Sequence, residues 1–236
     1  TNQSNNSANL KDKAPPTITG VSIASDNSTI TVTMSEAVYN TNGGNGALEA
    51  SDFTFTISGG AASLSSATPT SISSSGNVYT LGIGISGTPT GAETLSVNPV
   101  DNGIYDALGN ESITNQSNNS ANLKDKAPPT ISGVSLASDN SAIYLTMSEA
   151  VYNSNSGSGS LEASDFSFSI SGGTATLSSS QPSEMASSGN VYTLGISLNG
   201  TADGNEVLTV SILDNAIYDA GGNEASTSQR HNVVTL

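Results

Sequence analysis

A run of eighteen residues, Thr1–Ile18 (TNQSNNSANLKDKAPPTI), recurs without a change as Thr114–Ile131, an offset of 113 positions. Carried on without a gap, the same offset aligns Ser22–Asn40 with Ser135–Asn153 and Leu48–Gly60 with Leu161–Gly173. A third, partial copy at Thr227–Leu236 aligns with Thr1–Leu10, so the 236 residues are ten plus two periods of 113. A fixed period marks an array, and a unit of this length can bury a core of its own instead of leaning on its neighbours. The expected organisation is a leftover closing strand of a preceding repeat at 1–10, one repeat at 11–123 and a second at 124–236. The joint is Lys124–Asp125–Lys126–Ala127–Pro128–Pro129, where paired prolines restrict φ and oppose helix, giving a short, semi-rigid connector.

Inside one repeat the apolar residues alternate with period two. Ile30, Val32 and Met34 face one way while Thr29, Thr31 and Thr33 face the other. Phe53, Phe55 and Ile57 repeat the pattern, as do Tyr79, Leu81, Ile83 and Ile85, then Leu95 and Val97. The second copy checks this reading. Inward positions exchange apolar for apolar (Val32 for Leu145, Ile85 for Leu198), whereas the outward Thr31 becomes Tyr144. That behaviour belongs to a sheet with one buried face. No stretch has helical periodicity with caps, and Gly, Ser, Asn and Pro clusters punctuate the strands. Seven strands are expected, near 17–23, 29–34, 53–58, 61–68, 77–86, 93–99 and 117–123. The fold class is therefore all-β: two tandem immunoglobulin-like β-sandwich domains of about seven strands each.

Composition narrows the function. The apolar fraction of 34 % is low, but charged residues are only 11 % and Val, Ile and Thr abound, so the chain can fold. With no cysteine, disulfide frameworks, thiol nucleophiles and thiolate metal sites are excluded. Five basic residues against twenty acidic ones argue against nucleic acid and anionic membranes as partners. No apolar run approaches the ~18 residues of a membrane span and no signal peptide is visible, so the chain reads as the interior of something larger.

Threading the chain through seven alternating strands sorts its acids by end. The end where the first repeat begins collects Asp12, Glu36, Glu49, Asp52, Asp101, Asp106, Asn110 and Glu111; the opposite end holds Asp26 and Glu93. The second repeat's matching set is Asp125, Glu149, Glu162, Asp165, Asp214, Asp219, Asn223 and Glu224. Crowded carboxylates repel unless neutralised. A hard cation taking roughly 6–8 oxygen ligands, Ca²⁺ above all, would relieve them, and at Asp125 it would also stiffen the joint. The other reading is that these are solvated loop acids, with Asp106–Asn110 serving only as a turn. No loop has EF-hand spacing.

The order DKAPPTI…SEAVYN…LEASDF…YDALGN resembles the bacterial immunoglobulin-like tandem repeats of very large secreted or surface-anchored adhesins. The matching segments are Ser35–Val38, Ser51–Phe53 and Asp106–Asn110, and again Ser148–Val151, Ser164–Phe166 and Asp219–Asn223, with Gly221 where the first copy has Leu108. The resemblance covers both repeats. It implies a sandwich fold, an extracellular or cell-surface location, a spacer role between neighbouring repeats of the same chain, and calcium at the joints.

Three function classes compete. A non-catalytic stalk suits near-identical copies, because a spacer needs length and stiffness instead of a unique site. Catalysis by paired carboxylates lacks the aromatic platforms of a cleft, since aromatics are 5 % and Trp is absent. The single His231 has Asn5 and Asn118 as its counterparts, which excludes a triad in the first repeat. The third class is a saccharide- or protein-binding module using the acidic loops, with Tyr39 or Tyr152 as a contact. Thr1–Leu10, an orphan copy of the closing strand, is either disordered or pairs with an edge on another molecule.

Overall fold

The computed structural model describes residues 9–236, and by its internal contacts the chain forms two compact units, the first ending at Asp125 and the second starting at Lys126. Residues 1–8 of the expected leftover strand lie outside the described residues; Asn9 and Leu10 carry no regular structure. Among the described residues nothing helical exceeds one 3-10 turn, at Ala50–Asp52 and Ala163–Asp165, and no helix is long and apolar enough to cross a membrane.

The first unit contains β1 (Ile18–Ile23), β2 (Thr29–Met34), β3 (Phe53–Ser58), β4 (Ser63–Leu64), β5 (Ile72–Ser75), β6 (Val78–Gly82), β7 (Ile85–Ser86), β8 (Thr94–Pro99) and β9 (Ser120–Asn122). All pairings are antiparallel. One sheet has the order β1-β2-β6-β5, a second the order β3-β8-β9, and β4 pairs with β7. The Phe55 N–H donates to the Ala67 carbonyl at 2.7 Å, tying the segment after β4 to the free side of β3. The second unit repeats the plan from β10 (Ile131–Leu136) and β11 (Ala142–Met147) through β12 (Phe166–Ser171), β13 (Thr176–Leu177), β14 (Met185–Ser188), β15 (Val191–Gly195), β16 (Leu198–Asn199) and β17 (Val207–Ile212) to β18 (Val233–Thr235). Each unit is thus an all-β antiparallel sandwich, the class read from the alternation.

The alternation decides the cores. Ile30, Val32 and Met34 from one sheet meet Phe53, Phe55, Leu95 and Val97 from the other, and all are buried. The second unit buries Ile143, Leu145, Met147, Phe166, Phe168, Leu208 and Val210 in the same way. Tyr144, the outward substitution, is 41 % exposed. Burying such side chains contributes ~1.5–3 kcal/mol each, which a chain without disulfides depends on.

The observed strands depart from the expected ones most clearly in three places. The run at 77–86 breaks after Gly82, and its tail, β7, joins β4 instead of continuing in the first sheet. A Cβ at Gly82 would sit 2.4 Å from Thr70 Oγ1 and 3.1 Å from the Ser71 backbone nitrogen, so the chain passes close beneath the 65–71 segment at this glycine. The strand expected over 61–68 contracts to Ser63–Leu64. The Ser-rich stretch read as a turn supplies β5, an exposed edge held by backbone pairing alone, for which apolar alternation leaves no signal.

Register fixes the two ends of each unit. Ile18 pairs with Met34 and Phe53 with Pro99, so the chain enters at the end where β2 and β8 finish. Thr94 pairs with Asn122, so the chain leaves at the opposite end. There Asn27, buried and left-handed (φ 61), clamps the backbone of Lys124: its Oδ1 accepts the Lys124 N–H and its Nδ2 donates to the Lys124 carbonyl, both at 2.8 Å. The last residues of the first unit are held by this clamp.

Candidate metal centre

At the end where the first unit begins, three of the expected acids converge. Asp12, Glu36 and Asp106 each offer a carboxylate oxygen, and these oxygens lie within 4.8 Å of one another. Such a cluster can hold a metal ion. Asp12 reaches it from the leading segment, Glu36 from the residues following β2, and Asp106 from the long connection after β8.

Each position has a local cause. Asp106 opens the Asp-Ala-Leu-Gly-Asn turn: its Oδ1 accepts the N–H groups of Leu108 (2.8 Å) and Asn110 (2.7 Å), and its Oδ2 accepts the Asn110 side-chain amide at 2.6 Å. Burial alone would raise its carboxyl, but the Asn110 side chain and the backbone donors of the turn outweigh it and hold the group below its ordinary value. It therefore stays anionic although buried. Tyr39 and Tyr105 exchange two backbone hydrogen bonds of 2.8 Å, stitching the Glu36 loop to the Asp106 loop. The leading segment is stapled by Ser112 Oγ donating to the Pro16 carbonyl (2.8 Å), by Asn110 Nδ2 donating to the Asp12 carbonyl (3.3 Å), and by the Thr17 N–H donating to Ser35 Oγ (3.0 Å).

Electrostatics mark Glu36 as the strained member. Burial raises its carboxyl, and the charges of Asp106 and Asp12 raise it further. Like charges held this close favour protonation or a counter-ion.

The remaining expected ligands are spent on loop geometry and belong to no such group among the described residues. Asp52 Oδ2 accepts the Glu49 N–H at 2.7 Å, and Glu49 answers with its own side chain, a capping box around the 3-10 turn. Glu111 accepts the Asn102 N–H at 2.6 Å, and Asp101 accepts the Asn102 side-chain amide at 2.9 Å. Asn110 turns its amide nitrogen toward Asp106 and Asp12.

The second unit reproduces these assignments. Asp219 accepts the Asn223 N–H (2.8 Å) and side-chain amide (2.7 Å), with a Glu149 carboxylate oxygen within 4.8 Å of one of its own. Glu162 and Asp165 form the second capping box, Glu224 accepts the Asn215 N–H at 2.7 Å, and Asp214 accepts the Asn215 amide at 2.8 Å. Asp125, the sequence counterpart of Asp12, is the last residue of the first unit.

A more consequential carboxylate lies at the opposite end. Glu93 is fully buried, and it accepts hydrogen bonds from the backbone N–H groups of Ala61 (2.7 Å), Ala62 (2.9 Å) and Thr90 (2.9 Å) and from the Thr90 hydroxyl (3.2 Å). Burial would raise it, but those backbone donors outweigh burial and push it down to about 2. Glu206 repeats the site: the N–H of Ala175, with those of Thr174 and Asp203, pushes it down to about 2 against the cost of burial. A signal was available in the sequence, because Glu93 stands in the inward phase of Leu95 and Val97, where a charge must be caged.

No protein-family model matches this sequence, and no curated protein matches it. Among solved structures, the N-terminal part of the bacterial S-layer protein SbsC is similar at 18 % identity over 86 % of this chain, with a TM-score of 0.35. This chain spans 42 % of that one. A chimeric titin Z1Z2 functionalised with a KLER exogenous peptide from decorin is similar at 13 % identity over 88 % of this chain and 95 % of that chain, with a TM-score of 0.24. By its own strand pairing and its own two cores, the chain is a pair of antiparallel β-sandwich units.

Proposed function

We propose that this chain is a length of non-catalytic stalk from a large secreted or surface-attached bacterial adhesin, its repeats stiffened by calcium. The observation that carries the reading is the path of the chain through each sandwich, in at one end and out at the other. A module so threaded adds its full length to an array, and β1 and β9 run the same way along it. A pull on the chain then loads both terminal ladders in shear together, where many hydrogen bonds must break at once. Near-identical copies serve this purpose, since stiffness and reach do not demand a unique surface.

Calcium fits the donors at the leading end: three clustered carboxylates, all offering hard oxygen ligands. An ion there joins the leading segment (Asp12) to the two loops that carry Glu36 and Asp106, so it ties the incoming chain to the body of its unit.

Calorimetric melting in calcium and in chelator tests the proposal. Calcium is expected to raise the first unit's transition, by about 2.7 kcal/mol of stability at a hundredfold excess over Kd, and Glu36→Gln is expected to remove most of that rise. The pH dependence has a definite sign. Glu36 titrates above its ordinary value when folded, so without a cation its charge costs stability at neutral pH, a cost that fades as pH falls through the raised range. Protons and calcium compete for that carboxylate, so the calcium-induced rise shrinks over the same fall in pH. A melting point indifferent to calcium removes the ion from the proposal. Small-angle scattering tests the stalk itself, which predicts an extended particle whose dimensions narrow in distribution when calcium is added.

A further inference from the structure

Four of the differences between the two repeats converge on one cavity. The chain's single arginine and single histidine are neighbours, Arg230 and His231, and both line a cavity of about 270 Å³ in the second unit. Its other walls include Ile131 at the start of β10 and the hydroxyl-bearing Thr130, Ser226 and Ser228. Gln229 sets the frame. Its Oε1 accepts the Ile131 N–H at 2.8 Å and its Nε2 donates to the Ser226 carbonyl at 2.7 Å, tying the segment before β18 to the start of β10. Gln116 makes the matching bonds to Ile18 (2.8 Å) and Ile113 (2.7 Å) in the first unit. The frame is therefore shared, but its lining is not: Ile113, Asn115, Ser117 and Asn118 give way to Ser226, Ser228, Arg230 and His231. The backbone is kept through the exchange, since His231 is left-handed at φ 57 where Asn118 has φ 59.

We propose that this cavity binds a carboxylate-bearing sugar unit of the uronate class. A chain of net charge −15 repels anions in general, so an anionic ligand needs a local positive site, and the chain's one guanidinium supplies it here. A guanidinium presents two parallel N–H donors to the two oxygens of a carboxylate. The imidazole beside it donates an N–H in either neutral tautomer as well as when charged. A bare inorganic ion would leave the hydroxyls and the apolar wall unused, whereas a sugar ring engages both. Its hydroxyls exchange hydrogen bonds with Thr130 and Ser228, and its C–H face covers the aliphatic Ile131. The Ser226 hydroxyl keeps its proton to donate, because its oxygen accepts the Ser228 N–H at 3.1 Å. With Ser117 and Asn118 in place of the arginine and histidine, the first repeat offers no such charge at the matching position. The site goes beyond a spacer role and stands independently of calcium.

Nuclear magnetic resonance on the full chain reads this without ambiguity, because one histidine and one arginine give a single imidazole signal and a single arginine Cδ–H signal. Sodium glucuronate is expected to shift both saturably, with a Kd of roughly a millimolar. Glucose, acetate and inorganic phosphate each lack one half of the ligand and are expected to bind about tenfold more weakly or worse. Arg230→Ser and His231→Asn install the first repeat's residues in a frame that already holds them there, so both variants keep the fold, and each leaves the other reporter in place. Arg230→Ser is expected to weaken glucuronate binding by about tenfold or more, read at His231, and Arg230→Lys to recover only part of it, since an ammonium keeps the charge but loses the paired donors. His231→Asn is expected to weaken it several-fold, read at Arg230. No saturable shift with glucuronate, equal binding of glucose, acetate or phosphate, or binding untouched by Arg230→Ser would each overturn the proposal.

Discussion

Glu93→Gln is expected to lower the stability of the first unit by about 3 kcal/mol, the scale for disrupting a buried, fully hydrogen-bonded charge. The glutamine keeps one acceptor oxygen, but its amide nitrogen must face backbone N–H groups that the carboxylate now satisfies. For a unit of this size that loss corresponds to a fall of roughly 12–20 °C in the first transition. The same cage predicts an acid sensitivity. Glu93 titrates at about 2 when folded and at its ordinary 4.5 when unfolded. Its stabilisation is therefore complete above the unfolded value and is lost as pH falls from 4.5 toward about 2. Melting followed over that window should show wild type weakening more steeply than Glu93→Gln. Gly60→Ala offers an independent route to the same damage: Gly60 is left-handed (φ 57), and a Cβ there would lie 2.0 Å from Glu93 Oε1. Gly173 stands in the same relation to Glu206. If Glu93→Gln melted with wild type at all pH values, the cage would have no part in stability.

Phe55→Ala is expected to cost about 3–5 kcal/mol, the range for deleting a buried aromatic ring. Phe55 is 2 % exposed, pairs with Val97 across β3 and β8, and lies in a core that shares no residue with that of the second unit. A domain commonly has only ~5–15 kcal/mol in total, and no disulfide limits the unfolded chain here. Calorimetry of the full chain should then show one transition moved far down and the other in place. Phe168→Ala should exchange which one moves. A single transition that shifts as a whole under either substitution would show that the units unfold as one.

Both predictions turn on what could be seen in the sequence. The inward faces of β2, β3 and β8 were legible because alternation is a local property, and the substitutions between copies exposed which side of each strand is buried. The exposed edge β5 and the break at Gly82–Gly84 were not, because both depend on what lies across the gap. Gly82 is glycine on account of Thr70 and Ser71, and neither its neighbours nor its counterpart Gly195 reveals that.

The acids divide in the same way. Their partition between the ends of the sandwich followed from strand count and direction, so eight candidates per repeat could be named. Which of them meet was decided by the tertiary structure: Asp12, Glu36 and Asp106 are brought within 4.8 Å by loops that Tyr39 and Tyr105 stitch together, while Glu49, Asp52, Asp101 and Glu111 are drawn into hydrogen bonds with their own loops. An acid's type and position say that it can bind a cation or an N–H group. The choice between them belongs to the fold, because a carboxylate takes whichever donor the packed backbone places within about 3 Å, and that distance is set by residues far away in the chain.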